Sequence, residues 1–269
     1  MNTEDIQMVC ISLDRRPDRW TAFKEGSDAA GINVIRLPAV DAKEFDAVKH
    51  ESVSVLTAHN IKNKVRRAHY EIDTAGAVGA SLSHFKAWEY LMKSTAPAII
   101  IFEDDAVIPP NFSQRLEQLV DQLPKEWDVI TFYNTVFMSS RGCKPDAATA
   151  PLYNCNGLMG AHAYMVSRRG AQRLLARAYP IELHVDAYLA FMSRLGNISM
   201  LWNPCMQVEQ PFDDSDIGHG NSRILSVPTD MDKFWMTALD AKSVVTIVTL
   251  AAITGGILTL ALRNTIKRM

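Results

Sequence analysis

Apolar positions fall into short runs separated by charged or polar turns. Residues 7–13 (QMVCISL) are one such run, with β-branched members, and break at once into DRRPDRW, where Pro17 suits the first turn of a helix. That predicts strand, charged loop, helix. A second strand is expected over 33–38, after Gly31, whereas residues 42–70 are polar and show no clear period. Residues 80–92 (ASLSHFKAWEYLM) carry helical apolar spacing, and 98–102 (AIIIF) read as a fully buried strand running into three acids. Further on, 112–123 predict an amphipathic helix, 127–133 (WDVITFY) a strand and 169–179 (RGAQRLLARAY) a helix. Strands alternating with helices imply an α/β fold with a mainly parallel sheet covered on both faces. Residues 138–156 and 211–221 read as loop excursions, the usual seats of function over such a sheet.

One stretch obeys a different rule. Residues 243–262 (SVVTIVTLAAITGGILTLAL) run for about 20 residues without a charge, which at 1.5 Å per residue matches a ~30 Å hydrocarbon core. A transmembrane helix is therefore expected at 243–262, with Lys242 before it and a short basic tail at 263–269 after it. No signal peptide is visible at the start of the chain. The expected organisation is a catalytic-type domain over 1–235 and a single-pass C-terminal membrane anchor. The domain is expected to face the cytosol, although the basic tail alone argues the other way.

Composition narrows the field. With 48% hydrophobic and 22% charged residues, the 269-residue chain is globular, and its net charge of -2 offers no general attraction to nucleic acid. The four cysteines, Cys10, Cys143, Cys155 and Cys205, form no CxxC pair, which argues against a zinc ribbon, and reduced thiols are expected.

Candidate chemistry begins at the end of the AIIIF strand. Glu103, Asp104 and Asp105 are three adjacent like charges at the strand edge where open α/β sheets bind ligands. A solvated acidic turn and a site for Mg²⁺ or Mn²⁺ are both compatible with the triplet alone. A divalent ion there would neutralise charge on a departing nucleotide diphosphate, and Arg15, Arg16 and Arg19 offer guanidinium forks to the same phosphates. An exposed, charged helix start explains those arginines equally well.

Several ordered blocks resemble the family 25 glycosyltransferases, which include lipooligosaccharide and procollagen galactosyltransferases. They are ISLDRRPDR (11–19), Ala39-Val40-Asp41, GAVGASLSH (76–84), FEDD (102–105), GAHAYMVSRRGAQRLL (160–175), His184-Val185-Asp186, Pro204, Gln210 and Ser215-Asp216-Ile217. The similarity covers about residues 8–225. What it implies is a GT-A-type nucleotide-sugar-binding domain that moves a hexose, commonly galactose, from a UDP-sugar to an acceptor hydroxyl with inversion and Mn²⁺ assistance.

Carried onto this sequence, the resemblance makes Asp105 and Glu103 the metal ligands and turns Asp104 toward the donor. Asp14, Arg15, Arg19 and Asp41 are then donor-side residues. Ser83 and His84 are expected to begin a helix near the site, where Ser83 serves as donor contact or helix cap and His84 as site or core residue. Inversion needs a base opposite the leaving group, for which Asp186 and then Asp216 are candidates; capping of a helix is the other reading of Asp186. His219 is either a metal ligand or a surface residue. Ala42, Ala77 and Ala80 depart from the family's glycine, glutamate and cysteine. Expected partners are a nucleotide-sugar donor, a glycan, glycolipid or protein acceptor, and the membrane. The alternatives are a membrane-tethered, non-catalytic nucleotide-sugar-binding or scaffold protein, and a metal-dependent nucleotidyltransferase.

Overall fold

The computed structural model describes residues 1–133, 152–155, 160–203, 205–211, 216–218 and 223–224. Residues Met1–Ser226 form one compact unit. Its centre is a seven-stranded sheet built from β1 (Gln7–Ser12), β2 (Ile35–Pro38), β4 (Ala98–Glu103), β5 (Val129–Thr131), β6 (Tyr153–Asn154), β7 (Ala163–Ser167) and β8 (Met200–Trp202). The strand order is β2-β1-β4-β7-β5-β8-β6. A separate two-stranded parallel pair joins β3 (Val65–Arg66) to β9 (Arg223–Ile224).

Alternation along the strands makes the layers. Ile99 and Ile101 of β4 point to one face with Val9, Ile11, Val129 and Val166, where α3 (Ala75–Lys93), α5 (Arg168–Leu175) and α6 (Val185–Arg194) cover them through Trp88, Leu174 and Leu189. Ile100 and Phe102 point the other way with Cys10, Ile130 and Met165, onto Phe23 of α1 (Pro17–Ala29) and Phe112, Leu116 and Leu119 of α4 (Phe112–Asp121). Every residue from Ala98 to Phe102 is 0% exposed, as a two-sided central strand requires. Each large apolar side chain so buried contributes about 1.5–3 kcal/mol.

The sheet is mixed and mostly parallel, as the sequence predicts, with two strands running against the rest. β1 pairs parallel with β2 and β4, and β5 with β8, but β7 lies antiparallel between β4 and β5, and β6 antiparallel to β8. Nothing in the pattern AYMVS encodes strand direction. Other boundaries shift too. The helix expected from Ala80 begins at Ala75, because Thr74 caps it by accepting the Ala77 N–H at 3.2 Å. A helix unseen in the polar 42–70 stretch, α2 (Val55–Asn63), starts at Ser54, whose hydroxyl accepts the Thr57 N–H.

Cys10 is a free, buried thiol, and Cys155 is buried. Cys205 is disulfide-bonded, a correction to the reduced thiols expected from the sequence, since pairing depends on separation in the fold rather than spacing along the chain. Among the described residues no helix is long and apolar enough to cross a membrane. The expected span at 243–262 and tail at 263–269 lie outside the described residues, as do Ser215 and His219.

Candidate active site

Parallel pairing brings the carboxyl ends of β1, β2 and β4 to one edge, with Ile11 opposite Glu103 and Ser12 opposite Pro38. The segments that follow these strands wall a single cleft. Arg15 and Arg19 reach it from beyond β1, Asp41 from beyond β2, and Glu103, Asp104 and Asp105 from β4. The acidic triplet is therefore not a solvated turn: its side chains are only 19%, 10% and 20% exposed.

Crowding of these carboxylates sets their protonation. Burial, reinforced by the negative charge of Glu103, pushes Asp105 up to about 7, although Gln210 donates to both of its oxygens at 3.0 Å. Burial also raises Asp104. Glu103 goes the other way: burial alone would raise it, but the hydrogen bond from His84 Nε2 to Oε1 at 3.0 Å and the charge of neighbouring groups hold it below the usual range. Arg19 reaches the cluster, 3.4 Å from Asp104 and 3.8 Å from Asp105.

The remaining arginines are held by acids from distant parts of the chain. Arg15 donates to Asp41 through Nε and to Asp216 through Nη1, both at 2.7 Å, and Arg16 Nη1 reaches the other Asp216 oxygen at 2.7 Å. Burial alone would raise Asp216, but these guanidiniums more than offset it and keep the carboxyl below its ordinary value. Asp41 is also lowered, first by the Lys43 N–H and then by Arg15. A planar fork aimed by a carboxylate is set to receive phosphate oxygens.

Helix α3 forms the floor, and its glycines explain how loops come so close. A Cβ at Gly76 would stand 2.4 Å from the Ile217 carbonyl oxygen, and one at Gly79 2.6 Å from that of Val40. Three residues apart, they lie on one helix face and admit two backbones there. Ser83 is corrected from helix start to helix interior: its hydroxyl donates to Gly79 O at 2.7 Å and accepts from Val40 N at 2.8 Å, which fastens the 39–42 segment to α3. His84 lies beside it, 1% exposed.

Two expected residues are not brought into this cleft. Asp14 is 74% exposed and pairs with Arg36 at 2.8 Å. Asp186 lies in the first turn of α6, accepting from Gly160 N at 2.9 Å and Ala187 N at 2.7 Å. It is absent from the cleft lining. Gln210 is a contact of the acidic cluster that sequence reasoning passed over. Its place among the ordered blocks was visible, but its contact with Asp105, 105 residues away along the chain, was not.

Among the described residues, no group of three or more His, Cys, Asp or Glu side chains stands in metal-binding geometry. The donor set nevertheless fits a hard divalent ion. Mg²⁺-type sites characteristically use one or two carboxylates and complete the shell with water and substrate phosphates, and the raised Asp105 carboxyl marks negative charge that a cation would neutralise.

Comparison with known proteins adds the following. The family model described as "Glycosyltransferase family 25 (LPS biosynthesis protein)" matches residues 5–189. A "Glycosyltransferase 25 family member" of Drosophila melanogaster is 27% identical over 194 residues, which cover 69% of this chain and 30% of that protein. A "Probable inactive glycosyltransferase 25 family member 3" of Rattus norvegicus is 29% identical over 199 residues, 69% of this chain and 32% of that one. The chain thus spans about a third of the length of these curated relatives. Among solved structures, a mutant of a Drosophila galactosyltransferase 7 in complex with manganese, UDP-Gal and xylobiose is similar at a TM-score of 0.40 and 9% identity, covering 85% of this chain and 79% of that one.

Proposed function

The chain belongs to glycosyltransferase family 25, and from that premise we propose that it transfers a hexose, such as galactose, from a UDP-sugar to an acceptor hydroxyl, with inversion, in the cleft at the ends of β1, β2 and β4. The observation that carries this reading is the convergence of Glu103, Asp104 and Asp105 with Arg15 and Arg19 in one concavity. We read the domain as GT-A type.

The arginines bind the diphosphate, and Asp41 and Asp216 aim them. Asp104 faces the ribose or sugar of the donor. Mn²⁺ or Mg²⁺, held by Asp105 and Glu103, would supply neutralisation of the charge that grows on the leaving nucleotide. Deprotonation of the acceptor hydroxyl calls for a base with a pKa near the working pH. Asp216, clamped between two guanidiniums and lowered by them, is poorly suited to that task, and its part is to hold Arg15 and Arg16. Asp186, held by the Gly160 N–H outside the cleft lining, remains the candidate base.

A second reading is favoured by a specific observation, the relatives named inactive: a member that binds nucleotide sugar without turning it over. Incubating the full chain with UDP-sugars and Mn²⁺ separates the two. Release of UDP supports transfer, UDP binding without release supports the non-catalytic reading, and release of pyrophosphate from a nucleoside triphosphate and a sugar phosphate would point to nucleotidyl transfer instead. We further propose that residues 243–262 anchor the domain on the cytosolic side of a membrane, beside its acceptor. Resistance to carbonate extraction, with the domain open to added protease in sealed vesicles, is the expected result.

A further inference from the structure

Behind the acidic cluster runs a buried chain of hydrogen bonds that the proposed chemistry has not yet used. Trp88 Nε1 lies 2.9 Å from the Tyr164 hydroxyl, that hydroxyl 2.9 Å from His84 Nδ1, and His84 Nε2 3.0 Å from Glu103 Oε1. Three elements supply it. His84 and Trp88, four residues apart, share a face of α3; Tyr164 comes from β7 and Glu103 from the end of β4. Trp88 and Tyr164 are 0% exposed and His84 1%, so bulk solvent does not reach these groups and they depend on one another for hydrogen bonds.

The direction of the chain follows from the donors. An indole N–H only donates, so Trp88 gives its hydrogen to the Tyr164 oxygen. The Tyr164 hydrogen must then find an acceptor, and His84 Nδ1 is the one within reach. That leaves the ring hydrogen on Nε2, aimed at the carboxylate. With the Tyr164 hydrogen given to Nδ1, the histidine donates only through Nε2, and successive bonds polarise one another toward Glu103.

We infer that Trp88, Tyr164 and His84 are positioning residues: they lock the Nε2–H form of His84 so that it fixes the orientation of the Glu103 carboxylate as a ready ligand of the cation in the donor site. The inference rests on the metal-dependent reading of the cleft. Partners one step behind a ligand commonly change metal affinity 10- to 100-fold when removed.

Tyr164→Phe keeps the ring and removes the hydroxyl, which frees the histidine hydrogen to move to Nδ1. In the full chain with UDP present, the Mn²⁺ affinity measured by electron paramagnetic resonance is expected to fall about 10- to 100-fold. His84→Leu is expected to lose as much. His84→Gln, whose amide nitrogen can donate from the Nε2 position, is expected to retain most of the native affinity. Ring ¹⁵N spectra of the native chain should show the hydrogen of His84 on Nε2. Native Mn²⁺ affinity in both Tyr164→Phe and His84→Leu, with thermal stability alone reduced, would overturn the inference and leave the function reading standing. A native chain that binds no Mn²⁺ with UDP would overturn both. A native Nδ1–H form would overturn the inference alone.

Discussion

Gly76→Ala tests how the cleft is assembled, since it adds one methyl where the fold leaves no room. The new Cβ would sit 2.4 Å from Ile217 O, 2.8 Å from its carbonyl carbon and 2.9 Å from Asp216 O. All three are backbone atoms, so no side chain can swing away. Restoring ordinary contact requires the 216–217 segment to retreat by roughly 1 Å. That stretches the Thr74 hydroxyl bond to Ile217 O, now 3.0 Å, and the two 2.7 Å bonds from Arg15 and Arg16 to Asp216. Hydrogen bonds to charged groups are worth about 1.5–3 kcal/mol each; discounted for the partial exposure of these side chains, the combined loss is on the order of 2 kcal/mol. Alanine in place of a helical glycine returns up to about 1 kcal/mol to α3. The expected outcome is a melting temperature close to native together with UDP affinity, by calorimetric titration with Mn²⁺, lowered about 10- to 30-fold. Gly26→Ala is the control: it lies within α1 with nothing inside 4 Å of the new Cβ, so it should stabilise the helix and leave nucleotide binding alone. Native UDP affinity and turnover in Gly76→Ala would refute the claim that the 216–217 segment aims the arginines.

Asp105→Asn is expected to abolish UDP release without lowering the melting temperature, because it removes a buried charge already opposed by Glu103; retained activity would dismiss the carboxylate as a ligand. Asp186→Asn should reduce the unfolding free energy by about 0.3–1 kcal/mol, the worth of a carboxylate in a helix's first turn. It should also leave UDP affinity unchanged while cutting transfer, and unaltered turnover removes Asp186 from the chemistry. Burial holds His162 and His184 below the ordinary imidazole value. These two side chains therefore bind more protons in the unfolded chain than in the folded one once pH drops through about 6.5. The Asp105 carboxyl, raised to about 7, takes up a proton in the folded chain over the same range and opposes them, so the test is made in Asp105→Asn. Its stability should decline below about pH 6.5, and an unchanged urea midpoint between about pH 7.5 and 5.5 would count against this assignment.

Much of the framework was legible because it is local. Five consecutive buried residues at 98–102 can hardly be anything but a central strand, and Pro17 after a charged turn starts α1 where a first-turn proline should. The arginine loop and the acidic triplet could be placed at one edge because each directly follows its strand. The start of α3 was not legible: Gly76 and Gly79 depress helix propensity, and only the approach of the 216–217 and 40–42 backbones shows why those positions cannot carry a side chain.

Sequence alone, then, determined which stretches bury their side chains and which carboxylates and guanidiniums stand at strand ends, because those follow from periodicity and adjacency. Tertiary structure decided the rest: that β7 enters antiparallel between β4 and β5, that Asp216 closes on Arg15 across 201 positions, and that Gln210 and His84 attend Asp105 and Glu103. Such pairings join segments with no local mark of each other. They form because a buried charge or hydroxyl must find a partner once water is gone, and which partner is near is a property of the packed chain.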